Sequence, residues 1–115
     1  MIGEFIRKQR ELLKTQDKRY SLRQFAVRLG VQPSYLSAVE RGEGSPPSEA
    51  FIMKVAHNLN LDADVLLAMT GRVSNELQNI ICSRPALFAQ IIRELKDTPE
   101  DAVLRLVREV SDGDW

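Results

Sequence analysis

Residues 21–42 read SLRQFAVRLGVQPSYLSAVERG, and their pattern predicts two short helices joined by a tight turn. Ser21 is an N-cap residue, since its hydroxyl can accept a hydrogen bond from an N–H at the start of a helix. Gly30 tolerates the positive φ that ends a helix abruptly. Pro33 suits the first turn of the next helix, where its missing N–H is not needed. The two helices are therefore expected to meet at a corner beside Gly30.

The same stretch divides its residues between a buried side and an outward side. The apolar residues expected to be buried are Leu22, Phe25, Ala26, Leu29, Leu36 and Val39. The second helix is expected to point outward with Pro33, Ser34, Tyr35, Ser37, Ala38 and Arg41. This arrangement predicts a helix-turn-helix motif, whose second helix suits the major groove of double-stranded DNA.

Residues 1–71 resemble the Cro/C1 (XRE) family of phage and bacterial repressors. The resemblance rests on IGEFIRKQRELL at residues 2–13, on the motif that ends LSAVERG at residues 36–42, on a Pro46-Pro47 linker and on SEAFIMKVAHNLNL at residues 48–61. It implies a lambda-repressor-like DNA-binding domain of five helices. The segment TQDKRY at residues 15–20 is longer than the family's usual connection, and it adds a basic loop before the motif.

Residues 72–115 extend beyond this domain. Helical periodicity predicts three further helices here, so the chain is expected to be all-α, with eight helices and no strands. The last two helices are expected to form a hairpin whose apolar stripes comprise Leu87, Phe88, Ile91, Ile92, Leu95, Val103, Leu106, Val107 and Val110. Such a hairpin either packs on the first domain or pairs with another chain, as a dimerisation or partner-binding region. The sequence leaves both alternatives open.

The sequence also predicts the environment of several individual side chains outside the helix-turn-helix motif. Leu12 and Leu13 are placed near the core side of the first helix. Thr98 is expected to be the N-cap of the last helix, because an early proline and acidic residues follow it. His57 is expected to be partly buried, and Cys82 to behave as a small hydrophobic residue.

Charge is distributed unevenly along the chain, although the formal net charge is zero. Residues 1–44 carry nine Lys or Arg against five Asp or Glu, whereas residues 45–115 carry seven against eleven. Only the face that meets phosphates must be positive in a DNA-binding protein. The surplus of positive charge in the first part therefore favours DNA as a ligand.

The resemblance also implies roles for individual residues. The residues expected to read DNA bases are Pro33, Ser34, Tyr35, Ser37 and Ala38. The residues expected to contact the DNA backbone are Gln32, Arg41, Lys18, Arg19, Ser21 and Arg10. Arg10 and Glu40 also match a structural ion pair that ties the first helix to the end of the recognition helix in this family.

Tyr35 has two possible roles. Its ring can pack on the first helix of the motif and leave only the hydroxyl at a phosphate, which we favour, or it can contact the groove directly. Arg7, Lys14 and Arg28 are interpreted as solvated surface charges, because charged residues on helices usually face water.

Other functional classes find little support in the sequence. One cysteine and one histidine offer neither a disulfide framework nor a zinc site, and no nucleophile lies in a catalytic motif. We therefore expect no enzyme activity, metal or cofactor. Since no signal peptide or membrane span is evident, a cytoplasmic protein is expected. The family resemblance implies that it is bacterial or phage-encoded and associated with the nucleoid.

Two hypotheses for function follow. The first is a sequence-specific transcriptional regulator of double-stranded DNA, a repressor that binds a (pseudo)palindromic operator as a homodimer. The second is an antitoxin or other interaction protein that holds a partner through its C-terminal helices, with DNA binding secondary.

Overall fold

The computed structural model describes residues 2–115, which form eight α-helices and one short 3-10 helix, with no strand in this range. The α-helices are α1 (Ile2–Lys14), α2 (Leu22–Leu29), α3 (Pro33–Glu40), α4 (Glu49–Leu59), α5 (Ala63–Met69), α6 (Asn75–Ser83), α7 (Pro85–Leu95) and α8 (Glu100–Asp112). The 3-10 helix, Lys18–Tyr20, lies in the segment predicted as a basic loop. The all-α prediction is confirmed.

The chain divides into two compact units, Met1–Ser74 and Asn75–Trp115. The first unit contains α1 to α5, and the second contains α6 to α8. The sequence places the boundary three residues earlier, between residues 71 and 72, at the glycine that follows α5.

The first unit has one hydrophobic core, to which all five of its α-helices contribute. Its buried apolar residues are Ile6, Phe25, Ala26, Leu29, Leu36, Val39, Phe51, Ile52, Val55, Ala56, Leu59, Leu66 and Leu67. Leu22 and Val31 are partly buried against this core. Burial of these side chains is the main favourable term in folding of the unit, and it fixes α2 and α3 relative to the other helices.

The helix ends confirm the local predictions. The Ser21 hydroxyl accepts a hydrogen bond from the Gln24 N–H at 3.2 Å, and Gly30 ends α2 with φ of 72°. Asn60 ends α4 in the same left-handed region, with φ of 56°, and Asp62 caps α5. Because these contacts lie within a few residues, they set the helix bounds without help from the rest of the fold.

Gly3 permits a close approach between α1 and the end of α3. A Cβ atom at this position would lie 2.1 Å from the Val39 carbonyl oxygen and 2.8 Å from that of Glu40. Both atoms belong to the backbone and cannot move aside as a flexible side chain would. Gly3 therefore sets how closely α3 lies against α1.

Two expectations for individual side chains in the first unit, those for Leu12 and His57, were wrong, whereas the one for Leu13 is confirmed. Leu12 is 65% exposed, because the buried face of α1 follows Gly3, Ile6 and Arg10, and Leu12 falls outside this series. Leu13 is partly buried against the core. His57 is exposed, since its neighbours Val55 and Ala56 occupy the buried face of α4.

The second unit buries none of its helical residues. The apolar side chains that remain exposed on α7 and α8 include Leu87, Ile91, Ile92, Leu106, Val107 and Val110, at 38–56%. Phe88, Leu95 and Val103 are of intermediate exposure. The apolar stripes that the sequence predicts are thus present on the helices but remain largely open to solvent.

Two further expectations were wrong in the second unit. The Thr98 hydroxyl donates to the Glu94 carbonyl at 3.1 Å instead of capping α8, whose preceding residue is Pro99. Thr98 therefore supports the end of α7. Cys82 is exposed and does not pack as a small hydrophobic residue.

Candidate DNA-binding surface

The outer face of α3 is the central feature of the surface. Ser34 and Tyr35 are exposed, while Pro33, Ser37 and Ala38 are of intermediate exposure. Pro33 is the first residue of α3, as predicted, and the Gln32 side chain makes no capping hydrogen bond. Their contacts with DNA bases or phosphates stay predictions.

The turn between α2 and α3 is held by backbone hydrogen bonds. The Gly30 N–H donates to the Val27 carbonyl and the Val31 N–H to the Ala26 carbonyl, both at 3.0 Å. Fully buried Phe25 lies on α2 near this turn. The angle between the two helices is therefore fixed by local geometry and by the core together.

Tyr35 packs on a different helix from the one predicted. Its ring lies edge-on against Phe51 of α4, with ring centroids 5.4 Å apart and planes at 79°. The side chain is still 41% exposed. Edge-to-face aromatic pairs are favourable, so this contact fixes the tyrosine at one side of α3.

A buried ion pair connects α1 with the end of α3, and it is the pair that the family resemblance implies. Arg10 donates from Nε and Nη2 to the two carboxylate oxygens of Glu40, at 2.7 and 2.9 Å. Its Nη1 donates to the Tyr20 carbonyl at 3.1 Å. The hydrogen bond to Glu40 raises the pKa of Arg10, against the opposing effect of burial.

This geometry changes the expectation for Arg10. The residue is 5% exposed, and each of its three side-chain nitrogens already donates to a protein oxygen. We therefore no longer assign it a contact with the DNA backbone. Its hydrogen bonds instead join α1, Tyr20 and the end of α3.

Arg41, at the end of α3, already has an acidic partner. It donates from Nη2 and Nε to Glu43 at 2.9 and 3.1 Å, and from Nη1 to the Ser37 hydroxyl. The hydrogen bond from Arg41 holds the pKa of Glu43 below its ordinary value. The Nε and Nη2 edge of Arg41 can bind a DNA phosphate only when this exposed pair opens.

Arg19 is paired in the same way before α2. Its Nη2 and Nε donate to Asp17 at 2.7 to 3.1 Å, and its backbone N–H donates to the same carboxylate at 2.9 Å. These hydrogen bonds lower the pKa of Asp17 to about 2, so the carboxylate stays ionised far below neutral pH. Lys18, the other basic residue of this segment, is exposed.

Arg28 is exposed, as the sequence predicts, but it also makes structural contacts. Its guanidinium carbon lies 4.4 Å from the centre of the Tyr20 ring, and Nη2 donates to the Arg19 carbonyl at 2.9 Å. The Tyr20 hydroxyl in turn donates to the Asn58 carbonyl on α4 at 3.1 Å. These contacts fix the 3-10 helix beside α2 and α4.

Arg7 is a residue whose position the sequence does not reveal. It lines a concavity of about 300 Å³ together with Leu22, Ser37 and Arg41, at the start of α2 and the end of α3. Its Nε donates to Glu11 at 3.2 Å, one turn further along α1. Helical spacing predicts that pair, but only the packing of α1 against α3 places Arg7 beside the recognition helix.

Two features of other protein classes are absent from residues 2–115. No helix in this range is long and apolar enough to cross a membrane. No group of three or more His, Cys, Asp or Glu side chains in the same range could hold a metal ion.

Comparison with known proteins places this surface in context. The chain is 44% identical over 62 residues to the HTH-type transcriptional regulator SlrR of Bacillus subtilis, a match that covers 54% of this chain and 38% of SlrR. It is 33% identical over 87 residues to the HTH-type transcriptional regulator SinR of Bacillus licheniformis, covering 70% of this chain and 74% of that protein. The chain thus spans well under half of SlrR and about three quarters of SinR.

A solved structure described as a SinR protein/SinI protein complex shares the fold, with a TM-score of 0.51, 24% sequence identity and coverage of 96% of this chain and 95% of that one. The model of the helix-turn-helix family matches residues 6–66, more than half of the chain. The match begins in α1, includes the buried Arg10–Glu40 pair and ends within α5. This chain therefore belongs to the helix-turn-helix family of the Cro/C1 (XRE) type, as its sequence predicts.

Proposed function

We propose that this protein is a sequence-specific DNA-binding transcriptional regulator, a repressor that binds a (pseudo)palindromic operator. The observation that carries the proposal is the exposed face of α3, with Ser34 and Tyr35 open to solvent on a helix held by a buried ion pair. A rigid helix with one open face is what major-groove reading requires. The relatives are named HTH-type transcriptional regulators, which supports the same function.

The distribution of charge supports the proposal. Residues 1–44, which hold the motif, carry nine Lys or Arg and five Asp or Glu. Phosphate contacts supply much of the affinity for DNA and guide its approach. A protein with this role would act in the cytoplasm, on the DNA of the nucleoid.

We further propose that the protein binds its operator as a homodimer, through α7 and α8. Their apolar residues, which include Ile92 and Val107, are each 52% exposed in the single chain. Pairing two chains would remove this surface from water, and apolar burial stabilises by about 25 cal/mol per Å². A two-fold dimer can then place two recognition helices about 34–36 Å apart, on half-sites one turn of DNA apart.

Selection of bound sites from random DNA tests the proposed function. We expect enrichment of one sequence with two-fold symmetry and half-site centres about 10 base pairs apart. The full chain should be used, since the spacing depends on both units. Failure to enrich any sequence would contradict sequence-specific binding, and enrichment of a single asymmetric half-site would contradict the homodimer.

The Ile92→Asp variant tests the dimer interface. A charge in a buried apolar interface is strongly unfavourable, so we expect the mass from light scattering to fall from dimer to monomer. Operator affinity should fall about 100-fold, because the second half-site no longer binds intramolecularly. Gln90→Asp, which introduces a charge at an exposed polar position of α7, is the matched control and should remain dimeric. A monomeric wild-type protein at tens of micromolar would contradict this proposal.

A second candidate function is supported by the same open helices. The apolar faces of α7 and α8 suit a different protein as well as a second copy. The similar solved structure is described as a complex of two proteins, SinR and SinI, which is a precedent for a protein partner on this fold. An antitoxin or other interaction protein would fit, and a monomeric wild-type mass would favour this candidate.

A further inference from the structure

Two arginines at the edges of the helix-turn-helix motif are neutralised by acids two residues away. Asp17 pairs with Arg19 directly before α2, and Glu43 pairs with Arg41 directly after α3. In both pairs the arginine is more than half exposed, at 75% for Arg19 and 53% for Arg41. Two of the residues that we expect to contact the DNA backbone, one at each end of the motif, are therefore paired with an acid in the free protein.

The Glu43 carboxylate has no other described role in the fold. Its two hydrogen bonds both come from Arg41, and its side chain is 60% exposed. The backbone N–H of Glu43 donates to the Ala38 carbonyl at 2.9 Å, so the main chain fixes this residue whatever its side chain. Asp17 differs, because its carboxylate also accepts from the Arg19 N–H and caps the 3-10 helix.

Carboxylate and phosphate compete for the same donors on a guanidinium group, since both accept two parallel N–H hydrogen bonds. Exposed ion pairs of this kind contribute little to the stability of a folded protein. We propose that Asp17 and Glu43 act as internal competitors of DNA phosphate and lower the affinity of this protein for every DNA sequence alike. The inference rests on the proposed function and names residues that set its strength.

The expected size of the effect follows from the strength of an exposed pair. If the paired state is favoured over the open state by about two- to fivefold, the arginine is open about a third to a sixth of the time. The apparent affinity for DNA scales with the fraction of molecules whose arginine is open. Removing one acidic partner should therefore strengthen DNA binding about three- to sixfold per subunit. Phosphate contacts carry no sequence information, so operator and unrelated DNA should gain by the same factor.

The Glu43→Gln variant tests the inference most directly, because it removes the charge and preserves the length of the side chain. Its affinity for the selected operator and for a scrambled duplex is measured by fluorescence anisotropy at one fixed salt concentration. Glu109→Gln, at an exposed position of α8, removes one negative charge far along the chain and controls for net charge. We expect Glu43→Gln alone to strengthen binding to both duplexes.

A double-variant cycle shows whether the effect passes through Arg41. In the Arg41→Gln background we expect weaker binding, and we expect the added Glu43→Gln change to have no further effect. A gain that persists without Arg41, or one confined to the operator, would overturn the inference. Asp17→Asn, which keeps an oxygen for the Arg19 N–H, should likewise strengthen binding to both duplexes by releasing Arg19.

The remaining outcomes separate this inference from the proposed function. If the wild-type protein binds DNA and Glu43→Gln matches Glu109→Gln, internal competition is wrong and DNA binding stands. If neither the wild type nor Glu43→Gln binds any duplex, the proposed function and the inference both fail.

Discussion

The Ser34→Glu variant is expected to lose operator affinity by more than ~1000-fold, to the level of non-specific binding. Ser34 is an exposed residue in the first turn of α3, the part of a recognition helix that reaches the base edges. Glutamate there adds bulk against the groove floor and negative charge against the phosphates. Anisotropy with the selected operator measures the loss.

Folding should be unaffected by the same change. The side chain faces solvent, and an acidic residue in the first turn of a helix interacts favourably with the helix dipole. We expect the melting temperature to stay within about 2 °C of the wild type. Ser111→Glu, an exposed serine on α8 changed in the same way, is the control and should bind the operator normally. A Ser34→Glu protein that unfolds would show that Ser34 is packed, and one that binds normally would show that α3 does not read DNA.

Features encoded within a few residues could be predicted from the sequence. Ser21 and Gly30 mark the ends of α2 because the side chain of one and the backbone freedom of the other act on neighbouring residues. The fixed φ of Pro33 likewise predicts the start of α3. The family resemblance added the Arg10–Glu40 pair, which joins residues thirty positions apart and which local pattern alone does not reveal.

Features that depend on the packing of distant helices could not be predicted in this way. Tyr35 contacts Phe51, sixteen residues later, because α4 lies beside α3 in the folded unit. Arg28 lies over Tyr20, since the 3-10 helix turns back towards α2. Nothing in the local sequence distinguishes that arginine from an exposed one that makes no such contact.

The acidic partners of Arg19 and Arg41 are an intermediate case between these two. Asp17 and Glu43 lie two residues from Arg19 and Arg41, so the pairs are visible in the sequence as charge spacing. Residues two apart do not face each other on a helix, however, although they share one face of a strand. Here each pair lies at a turn of the chain, one at the 3-10 helix and the other at the left-handed glycine Gly42, with φ of 73°.

The second large effect is expected at the buried pair of Arg10 and Glu40. Their side chains are 6% and 5% exposed, so removal of one leaves the other as an uncompensated buried charge. Such a change costs about 3–5 kcal/mol, which is a large fraction of the stability expected of a unit this size. We expect Arg10→Met to unfold at a much lower urea concentration than the wild type, as measured by circular dichroism.

An exposed pair on the same helix supplies the control. Arg7 Nε lies 3.2 Å from Glu11 Oε1, and the two side chains are 59% and 51% exposed. Because water solvates either charge when its partner is removed, Arg7→Met should change the free energy of unfolding by less than about 0.5 kcal/mol. If Arg10→Met and Arg7→Met lower the free energy of unfolding equally, burial does not explain the effect at Arg10.

The double variant Arg10→Met with Glu40→Met separates stability from orientation. Replacing both charges by apolar side chains removes the desolvation penalty, so stability should return close to that of the wild type, less about 1 kcal/mol for the unpaired Tyr20 carbonyl. The protein would then be folded but without the hydrogen bonds that join α1, Tyr20 and the end of α3. If the pair orients the recognition helix, operator affinity should fall about tenfold in this folded protein. The double variant could instead lose as much stability as Arg10→Met and Glu40→Met lose together. That result would show that the packing of these side chains, and not a stranded charge, explains the effect.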